Sequence, residues 1–241
     1  MASLSASDYR GVLEFLHVAG EEHGPDPFPE GVLTELRRLV PCDVVSYGDY
    51  DADGRAWRCE PRWVGEQRAP LTEAVREATC AFRSQIPHKP HDAVPVLRWS
   101  DRCSRRILRR LDLYWEVNRP LGCEYELTLW LKHGSAVLGG FHFDRFRSDF
   151  SDRDVCFLET MLPHLVQLAH GATERWADVA ALLTRREREI LGWVARGRTN
   201  GEIAWLLCIS QGTVRKHLDN VYGKLDVSNR TAAVSRGYGL S

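Results

Sequence analysis

Between Leu183 and Leu225 the apolar residues recur every three to four positions in three short bursts, each preceded by a hydroxyl side chain. Ile190, Leu191 and Val194 form the inner stripe of one predicted helix. Ile203, Ala204 and Leu207 form that of a second, and Val214, Leu218, Val221 and Leu225 that of a third. Thr184 with Glu187, and Thr199 with Glu202, read as capping boxes, in which side-chain oxygens satisfy amides that a first helical turn leaves without partners. Gly197 stands between the first two helices, where a left-handed stop needs no Cβ. After Leu207 the residues Cys208-Ile209-Ser210 leave room only for a turn, with Ser210 placed to cap the third helix. The pattern predicts helix, tight turn, helix, with a fourth short helix from about Asn229 to Gly237.

The first 170 or so residues follow another pattern. Tyr9, Val12, Leu13 and Leu16 space one helix, and Val32, Leu33, Leu36, Leu39 and Val40 space a second that stops at Pro41. Asp43–Tyr50 and Arg55–Trp63 read as two strands joined by Asp51-Ala52-Asp53-Gly54, a hairpin signal with a glycine available for positive φ. Helical patterns follow at about 71–84, 101–108 and 110–118. Two more strands, Glu124–Lys132 and Ala136–Asp144, turn around His133-Gly134-Ser135, and Gly139-Gly140 marks a strand bulge. Ser151 with Asp154 then starts a long helix through Val155, Leu158, Leu162, Leu165 and Leu168, ending near Gly171. Antiparallel strand pairs with helices before, between and after them give an α+β layer.

The third helix of the C-terminal segment has two chemically different faces. Opposite its apolar stripe stand Arg215, Lys216, Asp219 and Tyr222, flanked by His217, Asn220 and Lys224. Such a face suits the major groove, where Arg or Lys can reach guanine O6 and N7 and Asp can accept from cytosine N4. One amphipathic helix alone would read as the solvated side of a bundle; the complete arrangement favours DNA.

This region resembles the C-terminal helix-turn-helix domain of LuxR-type transcription regulators. The residues that carry the resemblance are Leu183-Thr184, Arg186-Glu187, Glu189-Ile190-Leu191, Ala195, Gly197, Asn200, Glu202-Ile203-Ala204, Leu207, Ile209-Ser210, Thr213-Val214, His217, Asn220, Lys224-Leu225, Val227 and Asn229-Arg230. The resemblance implies that Arg215, Lys216 and Asp219 face base edges, and that Thr199, Thr213, His217, Asn220, Lys224 and Arg230 lie near phosphates. It also implies a dimer contact in the last helix, through Ala233, Val234 and Tyr238. In order and size, the N-terminal region is similar to a GAF or PAS-like domain, including the autoinducer-binding domains of LuxR-type proteins. The resulting expectation is a GAF/PAS-like sensor or dimerisation domain over 1–171, a linker over 172–182 and the DNA-binding domain over 183–241.

Charge follows the same division. Residues 182–241 carry ten Lys/Arg against five acids, a balance of +5, and the whole chain is −1, so residues 1–181 carry −6. The basic module concentrates phosphate-seeking field at one end. At 241 residues, 44% hydrophobic and 27% charged, the chain has enough material for two compact domains. No apolar run is long enough for a bilayer and no signal peptide begins the chain, so a cytoplasmic protein with no membrane partner is expected. The seven cysteines, Cys42, Cys59, Cys80, Cys103, Cys123, Cys156 and Cys208, form no C-x-x-C pair and are odd in number. They read as reduced, mostly buried groups.

Tyr50, Trp57, Trp63, Tyr114, Trp115, Tyr125 and Trp130 supply enough aromatic surface to line a small-molecule pocket, and equally enough to fill a core. The full set of acyl-homoserine-lactone contacts does not align, so that ligand is not implied. His88-Lys89-Pro90-His91-Asp92, with Cys80 upstream, matches no compact zinc spacing and reads as a loop; neither metal nor cofactor is expected. The motifs of serine hydrolases, zincins, P-loop and dinucleotide-binding enzymes are absent, and the N-terminus lacks the acids of a receiver domain. The sequence points to a homodimeric, sequence-specific regulator of promoter DNA, not an enzyme, controlled through its N-terminal domain by a small-molecule ligand or a protein partner, with RNA polymerase as a further partner. Two alternatives stay open: a ligand-independent regulator whose N-terminal domain only dimerises or binds protein, and an enzyme domain fused to a DNA-binding tail.

Overall fold

The alternating strands of the N-terminal region assemble into one antiparallel sheet. A computed structural model describes residues 3–21, 26–48, 62–66, 85–86, 92–195 and 197–238. Its strands are β1 (Val44–Gly48), β2 (Arg62–Gly65), β3 (Val96–Arg98), β4 (Tyr125–His133) and β5 (Ala136–Arg145), in the order β2-β1-β5-β4-β3. The helices are α1 (Ala6–Glu21), α2 (Glu30–Leu39), α3 (Arg105–Leu108), α4 (Arg119–Leu121), α5 (Asp152–Leu182), α6 (Arg185–Ala195), α7 (Asn200–Leu206), α8 (Gln211–Leu225) and α9 (Arg230–Tyr238), with a π-helical turn at Tyr114–Asn118. The chain divides into two compact units, residues 1–21 with 28–169, and residues 22–27 with 170–241. The expected α+β class is present in full: an antiparallel sheet with helices, and a helical C-terminal domain.

In the first unit, residues two apart along β4 and β5 share a face. Leu127, Leu129 and Leu131 join Phe141, Phe143, Val45 and Tyr47 in an apolar core completed by Phe15 of α1, Leu33 and Leu36 of α2, and Phe157 and Met161 of α5. Each such side chain contributes about 1.5–3 kcal/mol on leaving water. Phe28 locks the centre, edge-on to Tyr47 at 4.6 Å and to Phe141 at 4.7 Å. α5 begins where the pattern placed it, with the Ser151 amide donating to Asp154 Oδ2 at 2.9 Å.

Three details differ from the reading of the sequence. β3 is an additional strand, only three residues long and too short to show a period. α5 continues to Leu182 through Pro163, past the break expected near Gly171. Gly139 and Gly140 stand in regular register with Leu131 and Trp130, and the ladder shifts one step earlier, between Leu131 and Lys132. Both glycines are there for lack of space. A Cβ on Gly140 would lie 2.7 Å from the Trp130 ring, and one on Gly139 would lie 2.3 Å from the Tyr47 hydroxyl. The hairpin at 51–54, the helix at 71–84, Tyr50, Trp57, His88 and His91 lie outside the described residues.

The second unit packs α6 to α9 around Leu183, Ile190, Leu191, Val194, Ile203, Val214, Leu218, Val221, Leu225 and Ala233. Among the described residues no helix is long and apolar enough to cross a membrane.

Candidate nucleic-acid interface and sensor face

The local signals of the C-terminal segment are realised atom by atom. Thr184 accepts from the Glu187 amide at 3.3 Å while Glu187 Oε2 accepts from the Thr184 amide at 2.7 Å. Thr199 and Glu202 repeat this reciprocal pair at the start of α7. Gly197 adopts φ +76, the left-handed stop. The turn into α8 is made by Cys208 at φ 51, with the Ile209 amide donating to the Ala204 carbonyl at 2.9 Å. Ser210 Oγ accepts from the Thr213 amide at 3.0 Å. α8 buries Val214, Leu218, Val221 and Leu225, which turns Arg215, Lys216 and Asp219 outward.

All three are exposed. None makes a hydrogen bond or ion pair among the described residues, so their donors and acceptors are available to an outside partner. Thr213 and Asn220 are exposed beside them and His217 is half-buried. Gln211, which the sequence pattern did not single out, stands in the first turn of α8 with its amide over the start of α7, 3.2 Å from where a Gly201 Cβ would be. Its position beside the cap was the only available signal.

Lys224 and Arg230 are differently engaged. Lys224 Nζ donates to Glu187 Oε2 at 2.6 Å, and the Glu187 side chain is only 4% exposed. Burial alone would raise the Glu187 pKa, but the Lys224 ammonium and the Thr184 amide outweigh it and hold the carboxyl below its ordinary value. Arg230 donates to Asn200 Oδ1 at 3.1 Å and also to the Arg198 carbonyl. These two cations bind α8 and α9 to the rest of their own domain. In α9, Ala233 is fully buried in that domain's core and Val234 is half-buried against it; the Tyr238 side chain lies outside the described residues.

In the first unit the second face of the sheet is also covered, and it is polar. Glu126, Thr128 and Trp130 of β4 stand opposite Asp144, His142 and Gly140 of β5. Trp99 Nε1 donates to Thr128 Oγ1 at 2.9 Å, Thr128 Oγ1 donates to Glu126 Oε1 at 3.1 Å, and His142 Nδ1 lies 2.7 Å from the same oxygen. Burial and the Glu126 charge push Asp144 up to about 8. Burial lowers the His142 pKa, but Glu126 more than restores it, and the net shift is upward. Burial pushes the Cys42 thiol up to about 12 and the Cys123 thiol well above its usual value, which leaves neither as a thiolate nucleophile.

Of the expected pocket aromatics within the described residues, Tyr114 and Trp115 meet edge to face at 5.4 Å. Trp63 is part-exposed on edge strand β2, Trp115 is half-exposed under the Arg119 guanidinium, and Tyr114 is buried with its hydroxyl donating to Glu124 Oε1 at 2.8 Å. Tyr125 lines a small cavity beneath α3, shared with Trp99, Asn118, Glu124 and Glu126. A larger cavity, about 420 Å³, lies between α1 and α2 and is lined mostly by charged side chains that pair with one another, Arg153 with Asp8 and Arg38 with Glu14.

Residues 181–236 match the family of bacterial regulatory proteins, luxR family. The C-terminal domain belongs to that family. The quorum sensing-dependent transcriptional regulator VjbR of Brucella ovis is 43% identical over 102 residues, 39% of this chain and 39% of that protein. The quorum-sensing regulator RhlR of Pseudomonas aeruginosa is 39% identical over 145 residues, 57% of each chain. The match thus spans about two-fifths of the length of VjbR. Among solved structures, Escherichia coli SdiA aligns over 96% of this chain and 98% of its own, with a TM-score of 0.49 and 22% identity. The luxR-family domain accounts for the helix-turn-helix and its outward-facing α8 side chains.

Proposed function

We propose that this chain is a sequence-specific DNA-binding transcription regulator, acting as a homodimer in the cytoplasm, whose N-terminal unit binds a small molecule and thereby changes how the luxR-family domains are presented to promoter DNA. The carrying observation is α8. A capped, core-anchored helix presents Arg215, Lys216 and Asp219 to the outside with no hydrogen-bond or ion-pair partner among the described residues, while Lys224 and Arg230 pair within their own domain. Arg215 and Lys216 read guanine edges and Asp219 accepts from cytosine N4. Thr199, Thr213, His217 and Asn220 hold phosphates, and Gln211 joins them. Residues 172–182 link the two functions, and exposed positions of α9 meet their counterparts in the second copy, since Ala233 serves its own core. A dimer of this kind places half-sites about one helical turn, roughly ten base pairs, apart. RNA polymerase is the downstream partner.

Fluorescence anisotropy with the chain's own upstream promoter and a scrambled duplex, across a salt series, tests this reading. The expected result is salt-dependent binding with a promoter preference of about 10³-fold or more. Equal affinity for the two duplexes at every salt concentration overturns it.

A further inference from the structure

Glu126 and Asp144 are 8% and 9% exposed and stand directly opposite each other across the β4–β5 ladder. Residues paired in this way have Cβ atoms about 4.5–5.5 Å apart, and like charges on them repel. The cations near this face are engaged elsewhere. Arg105 and Arg109 reach Glu124, Arg145 reaches Asp154 and the Pro41 carbonyl, Arg37 reaches the Cys42 carbonyl and Lys132 the Asp92 carbonyl. Among the described residues one imidazole, that of His142, serves the two carboxyls, with Nδ1 2.7 Å from Glu126 Oε1. Asp43 adds a third carboxyl near Asp144, and the Cys42 and Cys123 thiols complete the titratable groups around it. From β1 the residue opposite His142 is Ser46, which carries no charge.

Two carboxyls buried against each other with one imidazole between them do not both ionise, so the set keeps a proton beyond that of the imidazole. The donors decide which carboxyl holds it. Glu126 Oε1 accepts from the Thr128 hydroxyl and faces His142 Nδ1, and both favour its ionised form. Asp144 has the Cys123 thiol, a weak donor, as its side-chain hydrogen-bond partner. Asp144 is therefore the protonated member, in keeping with its rise to about 8 through burial and the Glu126 charge. This face is closed over by the turn at Trp99–Asp101, α3 and the π-helical turn, which share a small apolar cluster of their own. Two of the polar ties of this cover end on the titrating set. Trp99 Nε1 reaches Glu126 through the Thr128 hydroxyl, and Cys123, which follows α4, meets Asp144.

We propose that Glu126, His142 and Asp144 form a proton switch, which holds the cover against the sheet while Asp144 carries its proton and loosens it when that proton leaves. Loss of the proton sets two like charges opposite each other in a site shielded from water. Relief comes from hydration, which the ties at Thr128 and Cys123 oppose. The direction follows from the sign of the shift. A carboxyl raised by folding keeps its proton in the folded unit from about pH 4, where the unfolded chain releases it, up to its own higher value, so stability falls as pH rises through that window. The closed cover is the state of neutral pH and the loosened cover that of mildly alkaline pH. The switch belongs to the N-terminal unit alone and does not depend on the chain reading promoter DNA.

The test uses the full chain labelled with ¹³C and ¹⁵N, with the Asp144 carboxyl and Trp99 indole resonances assigned through backbone correlations and titrated from pH 5 to pH 9. The Asp144 carboxyl should titrate with a midpoint near 8, and the Trp99 indole should move with the same midpoint. Asp144→Asn, which keeps the position neutral, should hold the Trp99 resonance still across the range. Glu126→Gln, which removes the opposing charge, should lower the Asp144 midpoint by about one unit, a tenfold loss of proton affinity. If either variant fails to melt cooperatively, the two wild-type titrations decide alone. An Asp144 midpoint below about pH 6, within reach of an ordinary carboxyl, overturns the proposal. So does a Trp99 resonance that stays still while Asp144 titrates, or a Trp99 step near pH 8 that persists in Asp144→Asn. An Asp144 midpoint unmoved by Glu126→Gln overturns the pairing of the two carboxyls and the switch with it.

Discussion

Lys224→Ala separates two roles that one cation can have near DNA. The ammonium lies 2.6 Å from Glu187 Oε2, and the carboxylate is 4% exposed whereas the lysine is 38% exposed. Removing one member of a fully buried pair costs about 3–5 kcal/mol, because the other charge is left stranded. Here the half-open lysine end admits water and Glu187 keeps the Thr184 amide, so the loss should be about 2 kcal/mol. For a domain of this size that is a fall of about 10 °C in the Tm of its own transition. The hydrogen bond from Lys224 is the largest of the contacts that hold the Glu187 carboxyl below its ordinary value. A depressed carboxyl stabilises above the unfolded value of about 4.3 and loses that contribution as pH falls through the folded value, so the variant should show a shallower acid dependence below about pH 4.3. Calorimetry between pH 3 and pH 7, read with Glu187→Gln and the double variant, measures the coupling. In the same preparations the slope of log K against log salt should stay that of wild type, whereas a lysine lost from a phosphate would lower its magnitude by about 0.9. An unchanged Tm together with a shallower salt slope would refute the bracing role.

Further outcomes follow from other contacts. Lys216→Ala should cost about 1–3 kcal/mol on the preferred duplex and little on a random one, by anisotropy; equal losses on both would remove it from base reading. Gly140→Ala, which sets a Cβ 2.7 Å from the Trp130 ring, should lower stability by about 1–3 kcal/mol in urea unfolding, and an unchanged midpoint would contradict the close approach. Ser210→Ala should cost about 1 kcal/mol through loss of the α8 cap, with Ser210→Gly nearer to wild type. Asp8, whose carboxyl is held down to about 2 chiefly by its hydrogen bond from Arg153, contributes stability that is complete above about pH 4 and disappears toward pH 2. Asp8→Asn should remove that part of the acid transition in circular dichroism.

The C-terminal domain was readable because its instructions are local. The starts of α6 and α7 are each specified by a hydroxyl and a glutamate three residues apart and that of α8 by Ser210, and the stops of α6 and α7 by Gly197 and the short turn at Cys208. What the sequence did not reveal is the long-range pairing. The Lys224–Glu187 contact joins residues 37 apart and the Arg230–Asn200 contact joins residues 30 apart. Neither pairing could be read from the local pattern around the two cations. The same limit applies to the sheet. Glu126 and Thr128 alternate with Leu127 and Leu129, the pattern of a strand with one wet face, yet α3, the π-helical turn and the segment around Trp99 cover that face and bury the polar set. The aromatic residues were visible as a class, but which of them would surround a cavity depends on pairings of β3 with β4 that three residues cannot announce. Asn118 carries no signal at all until its carbonyl is found without a donor among the described residues.

The most direct test of the central claim is selection of bound duplexes from a fully randomised pool by the purified full-length chain, followed by sequencing. The account predicts enrichment of a two-fold symmetric motif with half-sites about one helical turn apart, and loss of that enrichment when Arg215, Lys216 and Asp219 are replaced together. A pool that stays random after repeated rounds, or a motif that persists in the triple variant, would contradict it.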